Sequence, residues 1–446
     1  MQNNNNHSLP LTPAVPVDPA TYTYTRFGTA FEAAEFTNWI DESMSWKETC
    51  YIGDWSPLGK LRVKGPDALK FFSDISINSF TKFEIGQAKH AVFCNFDGKV
   101  IGDGVLMKLA EDDFLYTSGP GILWALYMFQ HGSYDAVIQN VTTEQFILQV
   151  QGPKALFLME KVTGESLRDI GFMRFRPAHI GGYEFLALRQ GMAGEVGYEL
   201  HGRIEDAVSI YQTILEAGEE FGIRRLGGRT KMVNHVEACF PTPTVDYIPA
   251  IFNEEDKGFF EFMKQVAPAM LSLLRHSGTY PVESWNALHR SPVELGWGKS
   301  IKFDHDFIGR QALEAELAAP KRKIVTLVWN SEDVIDVYAS LFRQGTPYDY
   351  MELPRELLGC MEADCVEQEG RLVGATSSRC YSYYFREMLS LCVIDTELSE
   401  PGTEVTVVYG GGRGSEKRIR AKVAPAPYKT DNRRADVTAL QASRAL

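Results

Sequence analysis

A ten-residue pattern that occurs twice constrains the fold of this chain more than any other feature. The stretch VKGPDALKFF at 63–72 reappears as VQGPKALFLM at 150–159, 87 residues further on. Each copy is typical of a strand, a Gly-Pro turn and a helix that begins at the proline, because proline is tolerated in a first helical turn. Two copies are too few for a solenoid, which needs about three repeats or more. The repeat therefore predicts two related α+β halves that arose by duplication.

The rest of the chain divides around these halves. Asparagine repeats and prolines near the start predict a flexible arm at 1–30, since such a composition cannot build a packed face. The two halves are then expected at 31–149 and 150–320. From 321 to 446, short β-like runs alternate with Gly-rich turns, a pattern that predicts a β-rich C-terminal domain, a small barrel or sandwich.

Charge and hydropathy exclude several classes of function. The 446 residues include 45 Lys and Arg and 58 Asp and Glu, a net charge of −13, which argues against nucleic acid or an anionic membrane as the main partner. The sequence has no apolar run of about 18 residues and no signal-peptide pattern, so we expect a cytoplasmic protein. Seven scattered cysteines without a zinc-ribbon pair indicate no metal site.

Common catalytic motifs are also missing from the sequence. The string GGGRG at 410–414 lacks the GK[ST] or helix start of a phosphate loop and is typical of a hairpin turn. Neither a G-x-S-x-G elbow nor an H-E-x-x-H motif occurs. The usual hydrolase and zinc-protease mechanisms are thereby excluded.

Five local strings, taken together, resemble the aminomethyltransferase (glycine cleavage T-protein) superfamily, whose members pass one-carbon units to or from tetrahydrofolate. The strings occur in family order and are VKGPDA at 63–68, GKVIGD at 98–103, GEVGYE at 194–199, SPVELGW at 291–297 and DFIGR at 306–310. The resemblance implies the folate-binding fold of that superfamily, with two related α+β halves and a C-terminal β-barrel domain.

Within the superfamily, further strings are most similar to the tetrahydrofolate-dependent aromatic O-demethylases of lignin breakdown, the vanillate/3-O-methylgallate and syringate type. These strings are EFTNW at 35–39, VIGDG at 100–104, GMAG at 191–194, ILEAG at 214–218, KFDHDFIGR at 302–310 and YASLF at 338–342. The resemblance covers nearly all of the chain after residue 30.

The resemblance implies a set of folate contacts. Glu199 matches the glutamate that grips the pterin ring, where one carboxylate can accept two N–H donors. Trp297 matches an aromatic residue beside the middle ring of folate, although core packing is an alternative role. Asp103 matches the aspartate that faces the reactive nitrogens, and a turn-capping role is its alternative. The same resemblance adds Val105, Arg229 and Phe240 to the expected folate contacts.

Aryl-ether chemistry adds a requirement for a proton donor. The phenolic oxygen leaves as an anion unless an acid protonates it or donates a hydrogen bond to it. Folate N5 must also lie in line with the methyl carbon, at about 3 Å. Lys231 falls where the vanillate enzyme has its catalytic tyrosine, so its ammonium is the candidate acid or phenolate stabiliser. A solvated lysine is the alternative, with His235 and Tyr247 as other donors.

The aryl pocket departs from the vanillate enzyme as well. Gly119 falls where that enzyme has the arginine that holds an aromatic carboxylate. Trp55 and Leu58 replace a glutamine and a histidine, so this pocket is expected to be more apolar. The side chains left to meet a carboxylate are Arg229, Lys231 and His235; otherwise the substrate has no carboxylate.

These observations predict an O-demethylase that moves a methyl group from a syringate- or vanillate-like aromatic to N5 of tetrahydrofolate. The expected catalytic residues are Lys231, Asp103 and His235, with Trp55, Leu58, Lys231 and Tyr247 at the substrate. The partners are then small molecules only, in a monomer or small homo-oligomer. Two alternatives stay open: a folate-dependent N- or S-demethylase or aminomethyltransferase, and a non-catalytic folate-binding factor.

Overall fold

Strands dominate the chain in a computed structural model that describes residues 14–15, 20–27, 30–251, 257–271, 275–355, 361–412 and 414–441. The strands are β1 (Tyr24–Phe27), β2 (Ala30–Ala33), β3 (Tyr51–Asp54), β4 (Gly59–Lys64), β5 (Ala88–Cys94), β6 (Val100–Ala110), β7 (Asp113–Ser118), β8 (Val137–Asn140), β9 (Gln145–Gln151), β10 (Phe175–Ile180), β11 (Tyr183–Leu188), β12 (Gly197–Arg203), β13 (Arg224–Arg225), β14 (His276–Ser277), β15 (Arg322–Trp329), β16 (Met361–Glu362), β17 (Asp364–Gln368), β18 (Arg371–Ser382), β19 (Glu387–Asp395), β20 (Glu404–Tyr409) and β21 (Lys417–Ala424). The helices are α1 (Trp39–Glu48), α2 (Ala68–Ile75), α3 (Gly121–His131), α4 (Ala155–Thr163), α5 (Ala207–Gly218), α6 (Gly228–Glu237), α7 (Lys257–Val266), α8 (Pro268–Leu271), α9 (Arg310–Ala318) and α10 (Ser331–Ser340).

The two copies of the repeat occupy equivalent places in two sheets. The strand orders are β5-β6-β7-β4-β8 in the first sheet and β10-β11-β12-β9-β3-β13 in the second. In each sheet the repeat strand, β4 or β9, leads through Gly-Pro into a helix. The next three strands then form an antiparallel meander, and the last of these pairs with the repeat strand. The predicted α+β fold with two related halves is confirmed.

Glycine is required at the turn of both copies. Gly65 and Gly152 have φ values of 141° and 135°, a backbone conformation that residues with a Cβ rarely adopt. A Cβ at Gly65 would lie 2.6 Å from the Cα of Ala136, and one at Gly152 would lie 2.6 Å from the carbonyl oxygen of Thr49. The turn therefore lets each repeat strand pass close to a neighbouring backbone segment, which explains why both copies carry glycine at this position.

The boundary predicted between the halves, at 149/150, is wrong because it falls inside strand β9. The halves also exchange elements. Strand β3 comes before the first sheet in the chain but pairs with β9 of the second sheet. Helix α7, from the second half, buries Phe259 and Met263 in the core of the first sheet. Burial of apolar side chains across the halves makes them one packed unit rather than two.

The predicted arm at 1–30 is structured over part of its length. Strand β1 pairs antiparallel with β2, and the Phe27 ring packs edge-on against Trp55 with 5.4 Å between ring centroids. The Val15 N–H donates to Asp54 Oδ2 at 3.0 Å. Composition alone misses these contacts because the segment finds its apolar and hydrogen-bonding partners in a distant part of the chain. Residues 1–13, 16–19 and 28–29 lie outside the described residues.

The C-terminal domain is a closed barrel with strand order β15-β19-β18-β17-β20-β21, which confirms the barrel prediction. After β21 the chain leaves the barrel and returns to the second half, where Lys429 pairs with Glu195 and Val437 enters the core of the second sheet. Glu237 of α6 ties the units together, since it accepts hydrogen bonds from Trp46 at 3.0 Å and from Ser382 of β18 at 2.6 Å. In the described part of the chain, no helix is long and apolar enough to cross a membrane.

Candidate active site

A cavity of about 260 Å³ opens at the place where the two sheets, α6 and the N-terminal hairpin β1-β2 come together. Both sheets contribute to its walls, the first through β6 and the second through β12. Eight of the residues singled out from the sequence line it: Trp55, Leu58, Asp103, Val105, Gly119, Glu199, His235 and Phe240. Four others do not: Arg229, Lys231, Tyr247 and Trp297.

Asp103 is held in place on both carboxylate oxygens. Its Oδ1 accepts a hydrogen bond from the Tyr247 hydroxyl at 2.9 Å, and its Oδ2 lies 2.8 Å from His90 Nε2. Burial, and then the charge of Asp103, raise the pKa of Tyr247 well above its usual range, so the phenol stays protonated as a donor. The Trp297 ring packs edge-on against His90, with centroids 4.9 Å apart. Tyr247 and Trp297 therefore act on the cavity through Asp103 and His90.

Glu199 forms the second acidic group of the cavity and is 6% exposed. Its Oε1 accepts hydrogen bonds from the side-chain amides of Gln149 at 3.0 Å and Gln190 at 2.5 Å. The Tyr51 hydroxyl donates to Gln149 Oε1, which turns the amide nitrogen of Gln149 towards Glu199. His201 Nε2 lies 3.4 Å from Oε2. A carboxylate offers about four acceptor positions, so Glu199 retains capacity for the N–H donors of a pterin.

The wall beside these carboxylates is apolar and aromatic. Trp55 and Leu58 line it, together with Phe27 of the N-terminal hairpin. The His235 and Phe240 rings stack with centroids 5.5 Å apart and an interplanar angle of 23°. A planar aromatic ligand fits such a wall, because aromatic rings favour offset-stacked or edge-on contacts with other rings.

His235 is an uncharged member of this wall. Burial, and then the positive charge of Lys231, lower its pKa to about 3. Its Nδ1 lies 3.4 Å from the Thr242 hydroxyl. At neutral pH, His235 can therefore give or accept a hydrogen bond, but it brings no positive charge to a substrate.

The structure places Lys231, the candidate acid, outside the cavity lining. This side chain is 1% exposed, so it is not a solvated lysine, and it lies behind the cavity wall. Its Nζ is 2.6 Å from Glu32 Oε2, 3.9 Å from the centroid of the Phe27 ring and 4.3 Å from that of Trp55. Burial raises the pKa of Glu32, although the adjacent ammonium opposes that shift. Lys231 thus supports two aromatic rings of the wall from behind.

Arg229 is likewise directed to a carboxylate outside the cavity. Its Nη1 lies 2.6 Å from Glu35 Oε1, and Glu35 Oε2 accepts the Trp39 N–H at 3.0 Å. Arg229 is not among the lining residues of the cavity, and its contact with folate or a ligand carboxylate stays a prediction. Glu35 lies just after β2, and Glu32 lies on it. The N-terminal hairpin region therefore supplies the acidic partners of Arg229 and Lys231 of α6.

Sequence reasoning missed several residues of the site. His90 lies on β5, beside the strand β6 that carries Asp103, and no motif marks it. Gln190 directly precedes the GMAG string at 191–194, and Gln149 directly precedes the second copy of the repeat. Phe27 and Glu32 gave no signal, because their importance depends on partners elsewhere in the chain, Trp55 for Phe27 and Lys231, 199 residues away, for Glu32.

Replacing Lys231 by methionine is expected to lower the free energy of unfolding by about 3 kcal/mol, because Glu32 then stays buried without its partner. Lys231→Met combined with Glu32→Gln should recover most of that loss. The rate of the methyl transfer expected from the sequence should stay within about tenfold of the parent in the single variant, since Lys231 does not line the cavity. Urea unfolding and initial-rate assays measure the two effects.

Lys161→Met is the matched control, since Lys161 pairs with Glu220 on the surface. It should change the free energy of unfolding by less than about 0.5 kcal/mol. An equal loss in the single and double variants, or abolished turnover in Lys231→Met, would contradict the supporting role given to Lys231.

Two family models match the chain. The model described as the GCVT N-terminal domain matches residues 18–252, and the one described as the glycine cleavage T-protein C-terminal barrel domain matches residues 351–429. The first spans both sheets and ends before α7, and the second covers most of the barrel. The match confirms the superfamily that the motifs resemble.

Relatives of known name align along almost the whole chain. Sesamin methylene transferase of Sinomonas sp. (strain No.22) is 35% identical over 417 residues, which are 89% of this chain and 90% of that protein. Syringate O-demethylase of Sphingobium sp. (strain NBRC 103272 / SYK-6) is 32% identical over 417 residues, 89% of each chain. An aminomethyltransferase of Geobacillus sp. (strain WCH70) is 26% identical over 400 residues, 88% of this chain and 91% of that one.

A solved structure has the same fold. Glycine cleavage system aminomethyltransferase T from Bartonella henselae superposes with a TM-score of 0.68 at 16% identity, and the match covers 93% of this chain and 96% of that one. At this identity the likeness concerns the fold alone. With both family domains present and two relatives above 30% identity, this chain belongs to the glycine cleavage T-protein (aminomethyltransferase) family and is a one-carbon-transferring enzyme of it.

Proposed function

We propose that the protein is a tetrahydrofolate-dependent O-demethylase, which transfers the methyl group of a methoxylated aromatic compound to N5 of tetrahydrofolate. The products are a phenol and 5-methyltetrahydrofolate. One observation carries the proposal: two carboxylates, Asp103 and Glu199, each fixed by its own hydrogen-bond network, line one aromatic cavity. The 32% identity to a syringate O-demethylase supports the same reaction class.

The reaction balances without an oxidant or reductant. The bond between the methyl carbon and the aryl oxygen breaks, a bond between that carbon and folate N5 forms, and the N5 proton ends on the phenol oxygen. The site must therefore accept a proton at one point and donate one at another. Holding both reactants in line supplies much of the rate, because it makes the transfer effectively intramolecular.

The lining residues divide into roles that fit this reaction. Glu199 binds the N–H groups of the pterin, and Asp103, backed by His90, accepts the N5 proton. Of the three donors considered from the sequence, only His235 lines the cavity, so we assign it the hydrogen bond to the ether oxygen. Trp55 and Phe240 supply apolar contact to the planar reactants.

Methylene transfer is a second candidate, since the relative at 35% identity is named sesamin methylene transferase. A methylenedioxy bridge on an arene would give up its carbon to N5 and N10 of folate. The two N–H protons would then end on the two phenol oxygens. The acidic groups required are the same, so the products alone separate the two reactions.

The test is an incubation of the purified protein with tetrahydrofolate and a panel of methoxylated and methylenedioxy-bridged aromatics. Mass spectrometry should detect 5-methyltetrahydrofolate and a free phenol from a methoxylated compound. The appearance of 5,10-methylenetetrahydrofolate and a catechol from a bridged compound would favour methylene transfer.

Two results would contradict both reactions. Product from a methylated amine or sulfonium donor, with none from any aryl ether, indicates an N- or S-demethylase. Folate binding without turnover of any donor indicates a non-catalytic folate-binding factor. Equilibrium binding of folate should be measured beside the activity assay, so that the two results are separated.

A further inference from the structure

We infer that the aromatic co-substrate is an uncharged aryl ether, with an alcohol, ester, amide, phenol or second ether on its ring but no carboxylate. The inference rests on the proposed function, because it names the substrate class of the same cavity. It is argued from the charges that line the cavity and from those held behind its walls.

No lysine or arginine lines the cavity among the residues that the structure describes. Stretches 28–29 and 252–256, which border lining residues in the sequence but fall outside the described ranges, contain neither type of residue, and three of the five residues at 252–256 are acidic. The acidic side chains of the lining are Asp103 and Glu199. The cavity thus presents carboxylates to a ligand and no permanent cation.

Three cationic side chains of the neighbouring segments already have partners. Lys231 binds Glu32 at 2.6 Å, and Arg229 binds Glu35 at 2.6 Å. Lys60 donates to the carbonyl oxygens of Ser56 at 2.7 Å, Leu58 at 2.9 Å and Thr142 at 3.4 Å, which uses all three of its N–H groups.

An aryl carboxylate would lose water in this cavity and meet no lysine or arginine of the described lining in return, while the lining imidazole of His90 is held 2.8 Å from Asp103 Oδ2. Burial of an unpaired charge is costly, and like charges close by add to that cost. His235 does not change this balance, since burial and the Lys231 charge lower its pKa to about 3. An uncharged ring with ether oxygens avoids both costs and still fills the aromatic wall formed by Phe27, Trp55 and Phe240.

Gly119 provides the means to reverse this preference. It lines the cavity, and a Cβ built on it would have no heavy atom within 4 Å among the described residues. Its φ lies outside the left-handed region, so a side chain adds no backbone strain there. An arginine at this position can extend into the cavity and pair with a ligand carboxylate, a charge-assisted and frequently bidentate contact.

The experiment compares 3,4-dimethoxybenzamide with 3,4-dimethoxybenzoate, which match in size and differ in charge. Isothermal titration of the full chain at pH 7.5 should show at least tenfold tighter binding of the amide. Equal or tighter binding of the benzoate, or binding of neither compound, would overturn the inference.

The variants Gly119→Arg and Gly119→Met separate charge from size. In Gly119→Arg the benzoate should gain at least tenfold in affinity relative to the amide, whereas Gly119→Met should leave the ratio of the two affinities as in the parent. If the affinity for the benzoate relative to the amide rises in both variants, or in neither, then charge at this wall does not set the preference for the uncharged ligand.

The binding measurement needs no folate, so it is independent of the proposed reaction. Tighter binding of the amide without any 5-methyltetrahydrofolate supports an uncharged ligand and contradicts the proposed function. Turnover of the benzoate with higher kcat/KM than the amide supports the proposed function and overturns the inference.

Discussion

Asp103→Asn is expected to lower the rate of methyl transfer about a thousandfold in a protein that stays folded. Asparagine keeps the shape of the side chain, and its oxygen can still accept the Tyr247 hydroxyl that now lies 2.9 Å from Oδ1. It cannot take up the proton that N5 must lose when the new bond to carbon forms. Positioned acid–base groups contribute about 10²–10⁴ in rate, which sets the size of the effect. Single-turnover formation of 5-methyltetrahydrofolate measures it.

Asp112→Asn is the control for Asp103→Asn, because this substitution makes the same chemical change at an exposed aspartate in the turn between β6 and β7. It should leave the rate within twofold of the parent. Thermal unfolding should show similar midpoints for both variants. A rate within fivefold of the parent in a folded Asp103→Asn protein would remove Asp103 from the proton transfer.

Glu199→Gln should weaken tetrahydrofolate binding about a hundredfold while leaving the affinity for the aromatic compound nearly unchanged. A carboxylate can accept two N–H donors of a pterin in charge-assisted hydrogen bonds, and glutamine offers a single neutral oxygen. Such bonds contribute about 1.5–3 kcal/mol each, so a loss of about 3 kcal/mol is expected. Fluorescence titration with tetrahydrofolate under anaerobic conditions gives the dissociation constant.

The matched control is Glu184→Gln, since Glu184 is an exposed glutamate on β11 of the same sheet. Its folate affinity should equal that of the parent. The kinetic signature of Glu199→Gln is a raised KM for folate with a smaller change in kcat, because the carboxylate binds the ring far from the reacting carbon. Folate affinity within fivefold of the parent would contradict this assignment.

The fold could be predicted from the sequence because its signals are local. The Gly-Pro turns at 65–66 and 152–153 show a strand followed by a helix within ten residues, and the two sheets repeat that order. The barrel was visible in its short β-like runs. The exact division between the halves was not visible. Strand β3 comes early in the chain but pairs into the second sheet, and α7 comes late but packs against the first sheet. No local sequence pattern encodes such an exchange.

The acidic centre of the site was also accessible from the sequence, because Asp103 and Glu199 lie within strings that resemble those of the family. Their surroundings were less accessible. Tyr247 was expected at the substrate, but its hydroxyl instead donates to Asp103 from 144 residues away. His90 shares that carboxylate, yet nothing in its own strand marks it. A side chain that acts through another residue has no signature of its own in a single sequence.

What the sequence determined by itself is the identity of the chemical groups: two carboxylates, an aromatic wall, and Gly119 where a cation is expected. What the tertiary structure decided is which charges reach the cavity. Lys231 and Arg229 have partners 199 and 194 residues earlier in the chain, on and just after the second strand of a hairpin whose first strand composition assigned to a flexible arm. The charge that a ligand meets is a sum over side chains and their counter-ions, and counter-ions from distant segments are brought together only when the chain folds.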